Sequence, residues 1–187
     1  MYGNFIDNFE QTLNISSVIE ELDVSFRAFL TDMSQNFTST WQSEEVYGRN
    51  DPISTFSSTK RVISVAWEVP SANLKEAKAN LEKCNTLIKM TYPSYIKARE
   101  PGFDVIAKNP LVYVGFGNII ADSEGGPLLG WMDAVSWKPV LDMGMFNETV
   151  GEFYPKVISL SFNLNVLHQE PLGQETIKSK NFPFNIT

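Results

Sequence analysis

Residue types that build active sites are scarce in this chain. It has one histidine, His168, and one cysteine, Cys84, so classical zinc sites and Ser–His or Cys–His nucleophilic couples have little to draw on. Cys84 falls on the apolar stripe of an expected helix and His168 continues the apolar face of an expected strand. Both positions point to packing before reactivity. Two pairs of adjacent acids, Glu20–Glu21 and Glu44–Glu45, could divide acid and base roles as in a glycoside hydrolase. Both lie in a polar stretch where neighbouring acids are ordinary surface. Trp131 and Trp137 could form a sugar platform, but Trp on a strand more often packs a core or an interface. "GFGNII" at 115–120 lacks the third glycine of a dinucleotide fingerprint and is followed by an expected strand, and no Gly-Lys-Ser/Thr phosphate loop occurs. The expectation is no catalysis, no cofactor and no metal.

Composition narrows the class. At 187 residues the chain suits one domain with a sizeable core. Fifteen Lys and Arg against 22 Asp and Glu give a net charge of −7, which argues against tight binding of duplex nucleic acid. The lysines at 75, 78, 83 and 89 are interleaved with acids on an expected helix, as on a solvated face. A single cysteine excludes an internal disulfide and suits a reducing compartment. "MYGNFIDNFEQ" lacks the basic and apolar regions of a secretory signal, and no window of 18 apolar residues occurs. No membrane association is expected.

Along the chain, "NISSVIEELDVSFRAFL" spaces its apolar residues as a helix would, with Ser16 or Ser17 as the cap. The Ser/Thr/Asn-rich residues 31 to 60 read as a long connection. "RVISVAWEV" is a strand ended by Pro70, and residues 71 to 92 form an amphipathic helix capped either by Asn73, with Glu76 in a capping box, or by Ser71. Its apolar stripe is Leu74, Ala77, Leu81, Cys84 and Ile88. Leu111 to Phe116 is apolar on both faces, as a covered or inter-subunit strand would be. A strand near 128–138 follows, in which Leu129, Trp131, Val135 and Trp137 share a face that Asp133 interrupts. The last strand is the plainest. Ile158, Leu160, Phe162, Leu164 and Val166 alternate with Ser159, Ser161, Asn163 and Asn165, so one face is apolar and the other polar with no charge at all. Such a face suits an ordinary solvated strand and a water-filled wall equally well.

The order of these elements, with "VYGRNDP" before the first strand and helix and with "NPLVYVGFGNII", "GPLLGWMDAVSWKP" and "YPKVISLSFNLNVLH" as the remaining strands, resembles the tail-tube fold of phage baseplates. The tube-initiator or tube-cap proteins of contractile tails are the nearest type. The resemblance spans about residues 45 to 170; the first 40 residues have no counterpart in it.

That resemblance implies an α+β, mainly β fold: an antiparallel β-sandwich of tail-tube type with one main flanking helix, its sheets closing into a barrel on hexamerisation. It divides the chain into an N-terminal arm with a short helix (1–45), the β domain (46–170) and a C-terminal tail (171–187). It implies a structural virion protein of the tail baseplate, assembled in the host cytoplasm. Its partners would be five further copies in a ring, the adjacent tube, and the baseplate hub and wedge proteins. DNA would pass without specific binding. Six subunits of about four strands each give a channel roughly 40 Å wide. Ser159, Ser161, Asn163 and Asn165 would line that lumen, where small neutral groups wet the wall without gripping phosphate. Tyr47, Arg49 and Asp51 would meet a neighbouring subunit. Competing readings are a monomeric baseplate adaptor that binds peptidoglycan or supports a lytic protein, and a small hydrolase using Glu44 or Glu45.

Overall fold

Residues 12–27, 29–97, 104–147, 149–170, 172 and 182–184 are described by the computed structural model. Alternating β-branched and aromatic residues turn most of the chain into strands. In order these are β1 (Thr12–Ser17), β2 (Asp23–Arg27), β3 (Phe29–Glu44) and β4 (Ile53–Pro70), then helix α1 (Leu74–Lys89). After the helix come β5 (Ser94–Lys97), β6 (Asp104–Lys108), β7 (Val112–Gly115), β8 (Leu128–Pro139), a 3₁₀ turn (Leu141–Met143), β9 (Met145–Asn147), β10 (Phe153–Pro155) and β11 (Val157–Val166). Seven strands form one sheet in the order β2-β1-β7-β8-β11-β4-β3, with antiparallel pairing throughout.

The sheet is rolled. Arg27 ends one edge strand and Phe29 begins the other. Two Cα atoms two residues apart lie at most about 7.6 Å from each other, so the two edges meet at this corner. The core agrees: Phe26 of β2 packs on Trp67 of β4 with ring centroids 5.6 Å apart, although four strands separate them in the sheet, and Trp67 packs on Phe162 at 5.5 Å. The concave face carries the apolar halves of the alternating strands, including Leu13, Ile63, Trp67, Val112, Ile158 and Leu164, all with no exposed surface.

Helix α1 closes the roll with Ala77, Asn80, Cys84 and Leu87 inward. Asn73 is its N-cap, its Oδ1 accepting from Glu76 N at 2.9 Å, while Glu76 Oε2 accepts from Ala72 N at 2.8 Å. The buried stripe is rotated from the expected one. Leu81 and Ile88 are half-buried, and the buried polar Asn80 is admitted because its Nδ2 donates to Ser71 Oγ at 2.9 Å. Lys83 Nζ donates to the carbonyl of Ser25 at 2.9 Å, so the helix covers part of the β2 edge.

The expected N-terminal helix is absent from residues 12–27, which form the β1–β2 hairpin. Leu13, Ile15, Val24 and Phe26 are buried at period two, and "SVIEE" is the turn between them, closed by Ser17 N to Leu22 O at 2.8 Å. Helical spacing arose from apolar turn residues that face solvent. The expected connection at 31–60 is the outer part of a second hairpin, whose 16- and 18-residue strands pair from Phe29–Glu68 to Glu44–Ile53. A boundary at residue 45 would cut that hairpin, and residues 12–44 supply three of the seven strands instead of an arm. The short pairs β5–β6 and β9–β10 fall where no strand was expected.

Strand β8 explains its own imperfect pattern. Ser161 pairs with Ser136 and Asn163 with Asp133, which leaves an extra residue opposite Phe162. Ala134 takes a left-handed φ of 50° in this β-bulge. The bulge exchanges the faces, so Trp131 and Asp133 lie outside with Asn165 and Asn163, while Trp137 pairs with Leu160 on the core side. The two tryptophans do not share a face.

Candidate functional site

Three features of the rolled sheet present chemistry to a partner: its convex face, its long β3–β4 hairpin, and a cleft at the hairpin root. On the convex face Ser159, Ser161, Asn163 and Asn165 stand half-buried at the middle of the sheet, opposite the apolar residues of the same strand. Ser64 Oγ donates to Asn163 Oδ1 at 2.8 Å and Asn165 Nδ2 donates to Asp133 Oδ2 at 2.7 Å, so these side chains are tied across β4, β11 and β8. The register continues the face onto Ser64 and Ala66 of β4 and Ser34 and Asn36 of β3. Its charges are Asp32, Glu44, Lys60 and Glu68 on β3 and β4, Asp133 and Lys138 on β8 and Asp23 and Arg27 on β2; β11 has none.

Beyond Arg61 the hairpin leaves the body and is exposed on both sides. A second bulge, with Thr40 opposite Ser58 and Trp41 opposite Phe56, keeps aromatic residues together on the side that continues the core face. Trp41 and Phe56 stack edge-to-face at 5.5 Å yet remain 58% and 51% exposed, and Phe37 is 43% exposed. The other side carries Thr38, Thr40, Gln42, Thr55 and Ser58. The arm thus has one aromatic and one hydroxyl-rich face. Tyr47, Arg49 and Asp51 sit at its tip, all exposed, in a turn closed by Arg49 N to Val46 O at 3.2 Å with Gly48 at a φ of 85°. They are thus far along the arm from the four Ser/Asn residues on β11. Among the described residues no strand pairs with the outer edge of β3.

At the hairpin root Arg61 is buried, 1% exposed. Its Nε and Nη2 donate to Gln35 Oε1 at 3.1 and 2.7 Å, and Nη2 to the carbonyl of Pro183 at 3.3 Å. The guanidinium lies 5.5 Å from the Phe37 ring and 5.6 Å from the Phe182 ring. Among the described residues its Nη1 has no hydrogen-bond partner. Burial pushes its pKa down to about 10. The adjoining cleft, about 130 Å³, is lined by Arg61, Asp122–Glu124, Pro127 and the start of β8 at Leu128 and Leu129, residues Leu167–Glu170, Leu172 and Phe182.

The residues singled out for catalysis are dispersed. Cys84 is buried in the core, where desolvation pushes its thiol up to about 11 against a hydrogen bond from Trp137. His168 lies just beyond β11, exposed, with its ring 5.9 Å from that of Phe182; burial and then the Arg61 charge hold its pKa below the usual histidine value. Glu44 and Glu45 are exposed near the hairpin tip and do not line the cleft. Among the described residues no group of three or more His, Cys, Asp or Glu could hold a metal ion, and no helix is long and apolar enough to cross a membrane. Sequence reasoning missed the aromatic arm and the buried Arg61. The one trace of the arm in the sequence is the run of β-favouring Thr and aromatic residues in "FTSTW" and "STFSSTKRV".

No protein-family model matches the chain, and no curated protein matches it. Among solved structures it is similar to a chain of the anti-feeding prophage baseplate, determined by cryo-electron microscopy and sixfold symmetrised. Identity is 10% over 88% of this chain and 93% of that one, with a TM-score of 0.33. A TM-score that low carries no shared role to this chain.

Proposed function

We propose that this chain is a structural subunit of a phage-type tail baseplate, a tail-tube or tube-initiator ring protein that acts by assembly instead of catalysis. The observation that carries this reading is the pairing of two features in one sheet: a convex face on which the interior strand β11 is polar and uncharged, and a 16-residue β3 whose outer edge no strand pairs among the described residues. A free edge of that length invites pairing, and covering it is one of the ways proteins protect such an edge. In a ring of six copies the neighbouring subunit would cover it, the sheets would join into one barrel, and Ser159, Ser161, Asn163 and Asn165 would face the channel. A wall of small neutral groups passes DNA because it offers no cationic contact for phosphate to hold. The aromatic side of the arm, with Tyr47, Arg49 and Asp51 at its tip, would pack on the next subunit or ring. Hub and wedge proteins would be the further partners, with assembly in the host cytoplasm and residence in the virion.

Negative-stain electron microscopy of concentrated protein, alone and co-expressed with baseplate hub proteins, tests this with mass measured by light scattering. Sixfold rings with a channel near 40 Å are expected. A strict monomer in both preparations would overturn the ring.

A further inference from the structure

Arg61 poses a separate problem. It is a cation in a buried slot between two aromatic rings, and its hydrogen-bonded partners are a neutral amide and a backbone carbonyl. Taking a guanidinium out of water is costly unless a carboxylate answers it, and among the described residues none does. Asp122, Glu124 and Glu170 line the same cleft, but Asp122 Oδ1 is occupied by Glu124 N at 2.9 Å and Gly126 N at 2.6 Å. Among the described residues no acid offsets the effect of burial on Arg61. What covers the slot is the chain's own Phe182 and Pro183, held by one ring face, one carbonyl at 3.3 Å and edge contacts of the Phe182 ring with Phe37 at 6.2 Å and His168 at 5.9 Å. Such a cover desolvates Arg61 while no described residue meets its Nη1 donor.

We propose that this slot is a docking site for a partner-protein segment carrying a carboxylate beside an aromatic ring, and that Phe182–Pro183 is its resident place-holder. The incoming ring takes the position of Phe182 against the Arg61 face. The incoming carboxylate accepts from Nη1, converting a strained cation into a charge-assisted pair. Phe37 forms the other wall, and Gln35 fixes the guanidinium through Nε and Nη2. The site needs no ring assembly, so it stands or falls apart from the function proposed above.

The test titrates the full chain with a labelled synthetic peptide, NFIDNFEQ, read by fluorescence anisotropy. This is the sequence of residues 4–11, chosen because Phe5, Asp7, Phe9 and Glu10 combine rings with carboxylates. Saturable binding is expected. Arg61→Met should weaken it at least about tenfold, and an Asp7→Asn/Glu10→Gln peptide should lose as much. Phe182→Ala should strengthen binding by about threefold, because it removes the competitor. That variant and the peptide pair decide the matter even where Arg61→Met does not fold. Absence of binding at millimolar peptide, equal binding of the charged and neutral peptides, or displacement by sodium acetate as effective as by unlabelled peptide would each overturn the proposal.

Discussion

At Gly130 the backbone of β11 lies close against β8, and replacing it tests whether the roll is built as described. It lies in β8 between Val112 of β7 and Val166 of β11. A Cβ there would stand 2.4 Å from the carbonyl oxygen of Asn165, 3.1 Å from its carbonyl carbon and 2.9 Å from Leu164 Cδ1. A relaxed carbon–oxygen approach is about 3.3 Å, so β8 would have to move away from β11 by nearly an ångström. Leu164 can rotate, but the Asn165 backbone cannot, since it is held in the ladder with β4. Overpacking against a rigid neighbour costs about 1–3 kcal/mol. The displacement also strains the adjacent Leu167 N to Leu129 O bond of 2.8 Å, adding about 1 kcal/mol. We expect Gly130→Ala to lose about 2–4 kcal/mol. Urea unfolding followed by tryptophan fluorescence reads this directly. With a slope of about 2 kcal/mol/M the midpoint should fall by 1–2 M. A midpoint within about 0.2 M of the parent would refute the close crossing of β8 and β11.

Other consequences follow from the same structure. Trp67→Ala opens a void between Phe26 and Phe162 and should cost about 3–5 kcal/mol in the same assay. At pH 8 the rise of the Cys84 thiol from 9.0 to about 11 lowers its thiolate fraction roughly a hundredfold, so Ellman's reagent should react at least that much more slowly with the native chain than in urea. His168 has its pKa lowered in the fold, so its contribution to stability is present above the ordinary histidine value of 6.5 and fades as pH falls through the folded value. Thermal melts from pH 7.5 to 5 should therefore show a steeper loss for the parent than for His168→Gln. If the convex face of β11 is a channel wall, Asn163→Lys should leave the melting temperature within a few degrees while making assembled rings retain DNA in a salt-dependent way. Rings indifferent to that change would remove the wall from β11.

How far the sequence foretold this depended on where each segment's water lies. Strand β11 was legible residue by residue because it sits at the centre of the sheet, with one face fully buried and the other facing out, so its alternation is complete. Helix α1 was legible through its Asn73–Glu76 cap and its stripe, which was rotated only because Asn80 found a buried partner in Ser71. The first hairpin was misread because Val18 and Ile19 lie in its turn, where they extend an apolar rhythm that the fold does not use. The β3–β4 arm was hidden because neither of its faces is buried within one chain, so no apolar contrast marks it. Buried Arg61 was hidden for a related reason. Its environment is made by Gln35, Phe37 and Phe182, which lie far away in sequence and carry no shared motif.

The corner at Arg27 and Phe29 sets how this molecule would carry force. Because β2 and β3 follow one another with a single residue between them, a pull along the β3–β4 arm does not stop at the sheet's edge. It runs covalently into β2 and from there into β1, while β4 passes its share to β11. Tension along the strands loads each ladder in shear, so many hydrogen bonds must fail together. A sideways pull at the β3 edge would open the ladder one rung at a time. The fold is therefore stiff along its strands and yielding across them, like a tendon with a seam.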